Sequence, residues 1–231
     1  MIYLLVVSAI WSVSFGLFKT CLTTVDPSLA ALLRLALALA AFLPFLNVKK
    51  LPAKARLAYF AIGAVQYGLM YMFLNRSFQY LDGWQVALMT IFTPFYIVII
   101  EGLWKKKLDG TFMTAALLAV VGAAMAISDK GRVLPSSITG CALVQLSDIS
   151  FAAGVLAYRR VRRNNPEVSD LRLYALLYAG GTAISLCMTL VSGGFVQIAQ
   201  LGATQWEALL YMGLVSSALC FFLWNVGATK V

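Results

Sequence analysis

Apolar residues in this chain come in long blocks rather than in alternation or in narrow amphipathic stripes. The stretch AALLRLALALAAFLPF, residues 30–45, is apolar at every position except Arg34. Blocks of this kind predict eight helices, at about 2–18, 29–46, 57–74, 84–103, 111–127, 138–158, 173–191 and 206–226. At 1.5 Å per residue each is long enough to cross a hydrocarbon core of about 30 Å. Turn and breaker signals separate them: Pro27, Pro52, Asp82-Gly83, Asp109-Gly110, Pro135 and Asn165-Pro166. The pattern predicts an all-α polytopic membrane protein embedded in a lipid bilayer. Met1-Ile2-Tyr3 supplies no basic n-region, so the first block reads as a span and not as a signal peptide.

Composition agrees with that reading. Hydrophobic residues make up 61% of the 231 and charged residues only 12%, about half the share found in soluble domains. Mean hydropathy is +0.86. The net charge of +9 suggests nucleic acid by count alone, but its placement excludes that partner, because the charges sit in the links between apolar blocks. Alternate links hold Lys49, Lys50, Lys54 and Arg56, then Lys105, Lys106 and Lys107, then Arg159, Arg160, Arg162, Arg163 and Arg172. The intervening links hold only Lys19, Arg76, Lys130 and Arg132. The positive-inside rule puts the rich links, and with them the N-terminus, in the cytoplasm. Trp84, Trp104 and Trp206 fall at span ends, as an interfacial belt requires.

The four cysteines, Cys21, Cys141, Cys187 and Cys220, have no metal-ligand spacing, and the chain has no histidine. We therefore expect no metal site, no cofactor and no His-based catalysis. No nucleotide-binding G-x-x-x-x-G-K-[ST] run occurs. An enzyme is the least favoured class.

Shifting the chain by 150 residues lays YFAIGAVQYGLMYMFLNRSFQYL over LLYMGLVSSALCFFLWNVGATKV, with Gly63 on Gly213, Val65 on Val215, Leu69 on Leu219 and Asn75 on Asn225. If the third span matches the eighth, the repeat unit has five helices. An odd unit enters the membrane the second time from the opposite side, as in inverted-repeat transporters. Residues 1–127 form the first repeat (helices 1–5) and 138–231 the second (helices 6–8). On this reading the second repeat is two helices short, so a fragment or incomplete gene product is expected.

The segments AIWSVSFGLF, LLRLALALAAFLPFL, VQYGLMYMFLNRSFQYL, FTPFYI, LVQLSDISFAAGVLAYRR and LWNVGATKV occur in an order and spacing that resemble the EamA-type drug/metabolite transporter superfamily, and within it the carboxylate/amino acid/amine transporter group. That family has ten helices in two five-helix repeats. One position departs from the resemblance: Asp148 stands where a neutral Asn is expected. The resemblance implies a secondary transporter in the bacterial inner membrane, moving a small organic metabolite by alternating access, most concretely taking up biotin or a related carboxylate or amino acid derivative. An exporter of amino acids or drugs on the same scaffold and a non-transporting membrane subunit stay open, as does pairing into a homodimer.

Several intramembrane polar residues are candidates for the site. An arginine within a span is costly, by about 2.5–3.5 kcal/mol at helix centre. Arg34 either snorkels to the outer interface or faces a vestibule and holds a substrate carboxylate. Ala30, Ala31, Ala38 and Ala41 share its face and favour close approach of another helix. Asp148, near the middle of its span with Gln145 one turn before it, is either a proton-coupling carboxylate or hydrogen-bonding glue between helices. Gly63, Gln66, Tyr67, Met70 and Tyr71 form one stripe by spacing. Gln66, Tyr67 and Tyr71 on it would bind substrate or glue helices. Thr93 precedes Pro94, whose missing N–H frees a carbonyl on a transport path or simply kinks the helix. The substrate-binding candidates are therefore Arg34, Gln66, Tyr67, Tyr71, Thr93 and Gln145, with Asp148 for proton coupling. Glu101 and Lys105 form an expected i,i+4 ion pair, and Asn75 and Asn225 an expected structural pair near helix ends.

Overall fold

The computed structural model describes residues 2–106 and 137–228 and, between them, residues 110, 111, 113–115, 117, 118, 121 and 122. Seven long helices follow one another among the described residues: α1 Ile2–Cys21, then α2 Pro27–Phe45, α3 Ala53–Ser77, α4 Gly83–Lys105, α5 Ile138–Arg163, α6 Asp170–Ser192 and α7 Ala203–Gly227. Six of these, α2 to α7, are long and apolar enough to cross a membrane, and α1 carries the shorter apolar stretch Leu5–Cys21. The expected count of eight is thus not reached among the described residues. The span expected at 111–127 falls mostly outside them.

Two boundaries differ from the sequence expectation for physical reasons. Arg159, Arg160, Arg162 and Arg163, expected in a link, are the last turns of α5. Arginine is a good helix former, and its charge is favoured at the negative end of the helix dipole. Pro27, expected as a breaker, opens α2, where its fixed φ suits the first helical position. Asp26 caps that end, its carboxylate accepting from the Ser28 and Leu29 amides at 3.0 and 2.9 Å.

Helix α6 sits at the centre, packed on α2 and α3. The contact with α3 is backbone on backbone. A Cβ at Gly63 would fall on the Leu177 carbonyl, and one at Gly180 on the Phe60 carbonyl. Lipid supplies no hydrophobic drive for helices to associate, so such close approach, with its dispersion contacts, holds them together.

α3 and α7 each contain a π-helical stretch, Ala64–Leu69 and Met212–Leu219. The wider winding disturbs the i→i−4 ladder. In α7, side chains from neighbouring helices take up the carbonyls. Trp11 donates its indole N–H to Ser216 O at 3.0 Å. Tyr178 shares its proton between Ser217 O and Ala218 O, at 3.1 and 2.8 Å. Tyr174 donates to Phe221 O at 2.5 Å. Because that proton is committed, Tyr67 donates to Tyr174 Oη at 2.9 Å, and Asn225 Nδ2 donates to Tyr67 at 3.1 Å. Gln66 completes the chain by donating to Asn225 Oδ1 at 3.0 Å. Every link among α3, α6 and α7 is buried and joins two helices, so the network fixes how these three meet.

Candidate functional site

Between α1, α3, α4, α5 and α7 lies a cavity of about 430 Å³. α2 contributes a single side chain to its lining, Arg34. Most of the wall is apolar. Trp11, Phe221 and Trp224 cluster with ring centroids 5.2–5.4 Å from Trp11, and Phe151 lies 5.8 Å from Trp224.

Arg34 is 3% exposed. Its Nη2 donates to the Tyr71 hydroxyl at 2.5 Å and its Nε to Ser217 Oγ at 3.3 Å. The guanidinium carbon lies 4.1 Å from the Tyr71 ring centroid. Ser217 gives its own proton to Met212 O at 2.7 Å, so Tyr71 must be the donor in its 2.8 Å bond to Ser217. The three side chains form a closed triangle across α2, α3 and α7. No carboxylate lies within ion-pair distance of Arg34 among the described residues. Two hydroxyls and one ring offset only part of the cost of a buried cation.

An acidic side chain lines the same cavity without an ion pair to Arg34. Asp148 on α5 is 3% exposed, and its Oδ2 has no hydrogen-bond partner among the described residues. Thr93, on the cavity wall from α4, is its hydrogen-bonding neighbour. Pro94 follows, the second residue of the α-helical half of α4 that begins at Thr93.

The structure therefore brings together Arg34, Tyr71, Thr93 and Asp148. It places the other three candidates outside the cavity lining. Gln66 and Tyr67 belong to the buried network with Asn225 and Tyr174. Gln145 accepts from Tyr96 at 2.7 Å and donates to Met89 Sδ at 3.7 Å, bracing α4 on α5. Ser217, central to the Arg34 triangle, was not singled out from sequence. Its only signal was a hydroxyl in an apolar run. Trp11, Ser12 and Ser14 also line the cavity. Asn75 and Asn225 do each join two helices, but differently: Asn75 donates to Pro27 O at 3.1 Å. The Glu101–Lys105 pair is present at 2.7 Å.

Six membrane-length helices, five of which together with α1 line a cavity carrying a buried arginine and a buried acid, define a multi-pass membrane protein. Comparison with known proteins places it further. The EamA-like transporter family model matches residues 1–128. The biotin transporter of Escherichia coli strain K12 is 34% identical over 233 aligned positions, covering 100% of this chain and 77% of that protein. The biotin transporter of Salmonella typhimurium matches to the same extent. A probable biotin transporter of Pseudomonas aeruginosa is 34% identical over 231 positions, covering 99% and 80%. One solved crystal structure shares the fold at a TM-score of 0.72 and 15% identity, covering 99% of this chain and 79% of that one. The chain belongs to the EamA-like transporter family. It is a transporter of small metabolites and not an enzyme.

Proposed function

We propose that the chain takes up biotin, or a closely related carboxylate, across the bacterial inner membrane, with Arg34 as the anchor for the substrate carboxylate. The observation that carries this is the buried guanidinium on the cavity wall with no acidic partner among the described residues. A carboxylate is the planar anion its free N–H groups fit. The curated relatives named biotin transporter support the choice of substrate. Tyr71 orients the guanidinium, Thr93 supplies a hydroxyl on the opposite wall, and the aromatic cluster covers an apolar chain. Gln66 and Tyr67 belong to the helix-joining network outside the cavity, and Gln145 braces α4 on α5.

Asp148 is the proton-coupling carboxylate in this reading, exchanging a proton while Arg34 holds the anion. The cycle is alternating access, one inverted repeat rocking against the other. The two π-helical stretches support the repeat, since residues 64–69 and 214–219 lie 150 positions apart. The cytoplasmic N-terminus is supported by the gathering of the basic links. Lys105 and the α5 arginines share one cleft, and the Asn47 amide in the α2–α3 link donates to Arg172 O at 3.0 Å. A second reading, export of an amino acid or cationic drug on the same scaffold, is favoured by one observation, the unpartnered Asp148 oxygen facing the cavity.

Uptake of labelled biotin by a biotin-auxotrophic bacterium tests the proposal. Accumulation with the intact protein, lost in Arg34→Ala at equal membrane abundance, is the expected result. Absence of uptake by abundant intact protein would overturn it.

A further inference from the structure

Away from the central cavity, the ends of α4 and α5 enclose a cleft of about 380 Å³ lined by Glu101, Trp104, Lys105, Leu156, Arg159, Arg160, Arg163 and Asn164. The geometry points to a binding site here for the head group of an anionic phospholipid. Arg159 and Arg163, at i and i+4, share a face of the last turns of α5, and Arg160 beside them lines the same cleft. Arg162, in the same run, turns the other way and pairs with Asp170 at 2.8 Å. Glu101 is committed to Lys105 at 2.7 Å. Arg159, Arg160 and Arg163 have no acidic partner within ion-pair distance among the described residues.

Charges needed only for topology or for the helix dipole have no reason to converge across two helices on one concavity. A phosphodiester gives them one, since arginine forks bind phosphate bidentately. Trp104 and the buried Leu156 supply an apolar wall on the membrane side. Indole at the head-group level is an interfacial anchor, and basic clefts between membrane helices hold anionic head groups. That wall is what selects a lipid over free phosphate: acyl chains continue along it and an inorganic ion gains nothing from it.

Native mass spectrometry of the purified protein, released from micelles holding equal phosphatidylglycerol and phosphatidylcholine of matched chains, tests the site. The expected result is a retained phosphatidylglycerol preferred by roughly tenfold or more. Arg160→Gln/Arg163→Gln should abolish the preference. Lys49→Gln/Lys50→Gln, which removes two positive charges from another link, should keep it. Equal loss in both variants, or no loss in either, overturns a defined cleft. Displacement by millimolar inorganic phosphate overturns the lipid assignment in favour of a free-anion site. If the arginine variant does not accumulate, photo-crosslinking of the unmodified protein with an azido-phosphatidylglycerol decides. Label on peptides containing Trp104 or residues 156–164 supports the cleft, and label elsewhere overturns it.

Discussion

Arg34 meets Tyr71 twice, donating to its hydroxyl at 2.5 Å while its guanidinium carbon rides 4.1 Å over the same ring. The two contacts leave the fork little freedom, and Ser217 takes the Nε proton. The cation is pre-set before any ligand arrives, so less ordering cost falls on binding.

Arg34→Lys should therefore not rescue Arg34→Ala. Lysine keeps the charge but loses the planar fork and the ring stacking. We expect uptake reduced roughly tenfold or more in both variants, with the lysine variant showing a raised KM. Concentration-dependent uptake of labelled substrate reads this. A lysine variant with native KM would make Arg34 a point charge only.

Tyr71→Phe removes the acceptor for Nη2 and the donor to Ser217 but keeps the ring. The loss should be about 1–2 kcal/mol in substrate affinity or in stability. Ligand-dependent thermal shift in detergent separates the two: a pre-orienting role shows as a smaller shift on adding substrate.

Asp148→Asn retains size and hydrogen bonding but cannot exchange a proton. Uptake should persist in part and stop responding to an imposed pH gradient, measured in proteoliposomes. A gradient response equal to that of the unmodified protein would remove Asp148 from coupling.

Gly180→Val drives a side chain into the Phe60 carbonyl on α3. Overpacking of this kind costs typically 1–3 kcal/mol, so the detergent melting temperature should fall by several degrees. Gly16→Val, where nothing lies within 4 Å of an added Cβ, is the matched control and should not lower it.

Gln66 and Asn225 exchange amide hydrogen bonds in the core. Replacing one strands the other, at about 1–3 kcal/mol, whereas replacing both with leucine should recover much of the loss. A double-mutant cycle on melting measures this. Substrate KM should stay unchanged in whatever remains folded, because neither residue lines the cavity.

The membrane fold was legible because Arg34 and Asp148 stand out against hydrocarbon and because the links carry the basic charge. The same contrast picks out both buried ionisable side chains on the cavity wall. The stripe on α3 was less legible. Ordinary helical spacing puts Gln66, Tyr67 and Tyr71 on one face, but the π-helical stretch Ala64–Leu69 changes the phase between them. Tyr71 thus reaches the cavity while Gln66 and Tyr67 turn into the α6–α7 contact. Ser217 was invisible for the same reason: its role depends on the winding of α7, which composition does not announce. Gln145 sits one turn from Asp148, and spacing alone does not say that Tyr96 and Met89 occupy it.

The carbonyls of α7 taken up by Trp11, Tyr174 and Tyr178 have a mechanical consequence. Sliding α7 against α6 breaks three directed bonds together, and sliding it against α1 breaks the Trp11 bond, so α7 is pinned most firmly to α6. The helix least covered by protein among the six is α4, whose most apolar window is only 11% buried against 39–56% in the other five membrane-length helices. It is also interrupted by a 3₁₀ turn just before Pro94. Thr93 and Pro94 of α4 form the wall beside Asp148, whereas the Arg34 triangle has no member on α4, so a change in this helix alters the acid's side of the cavity first.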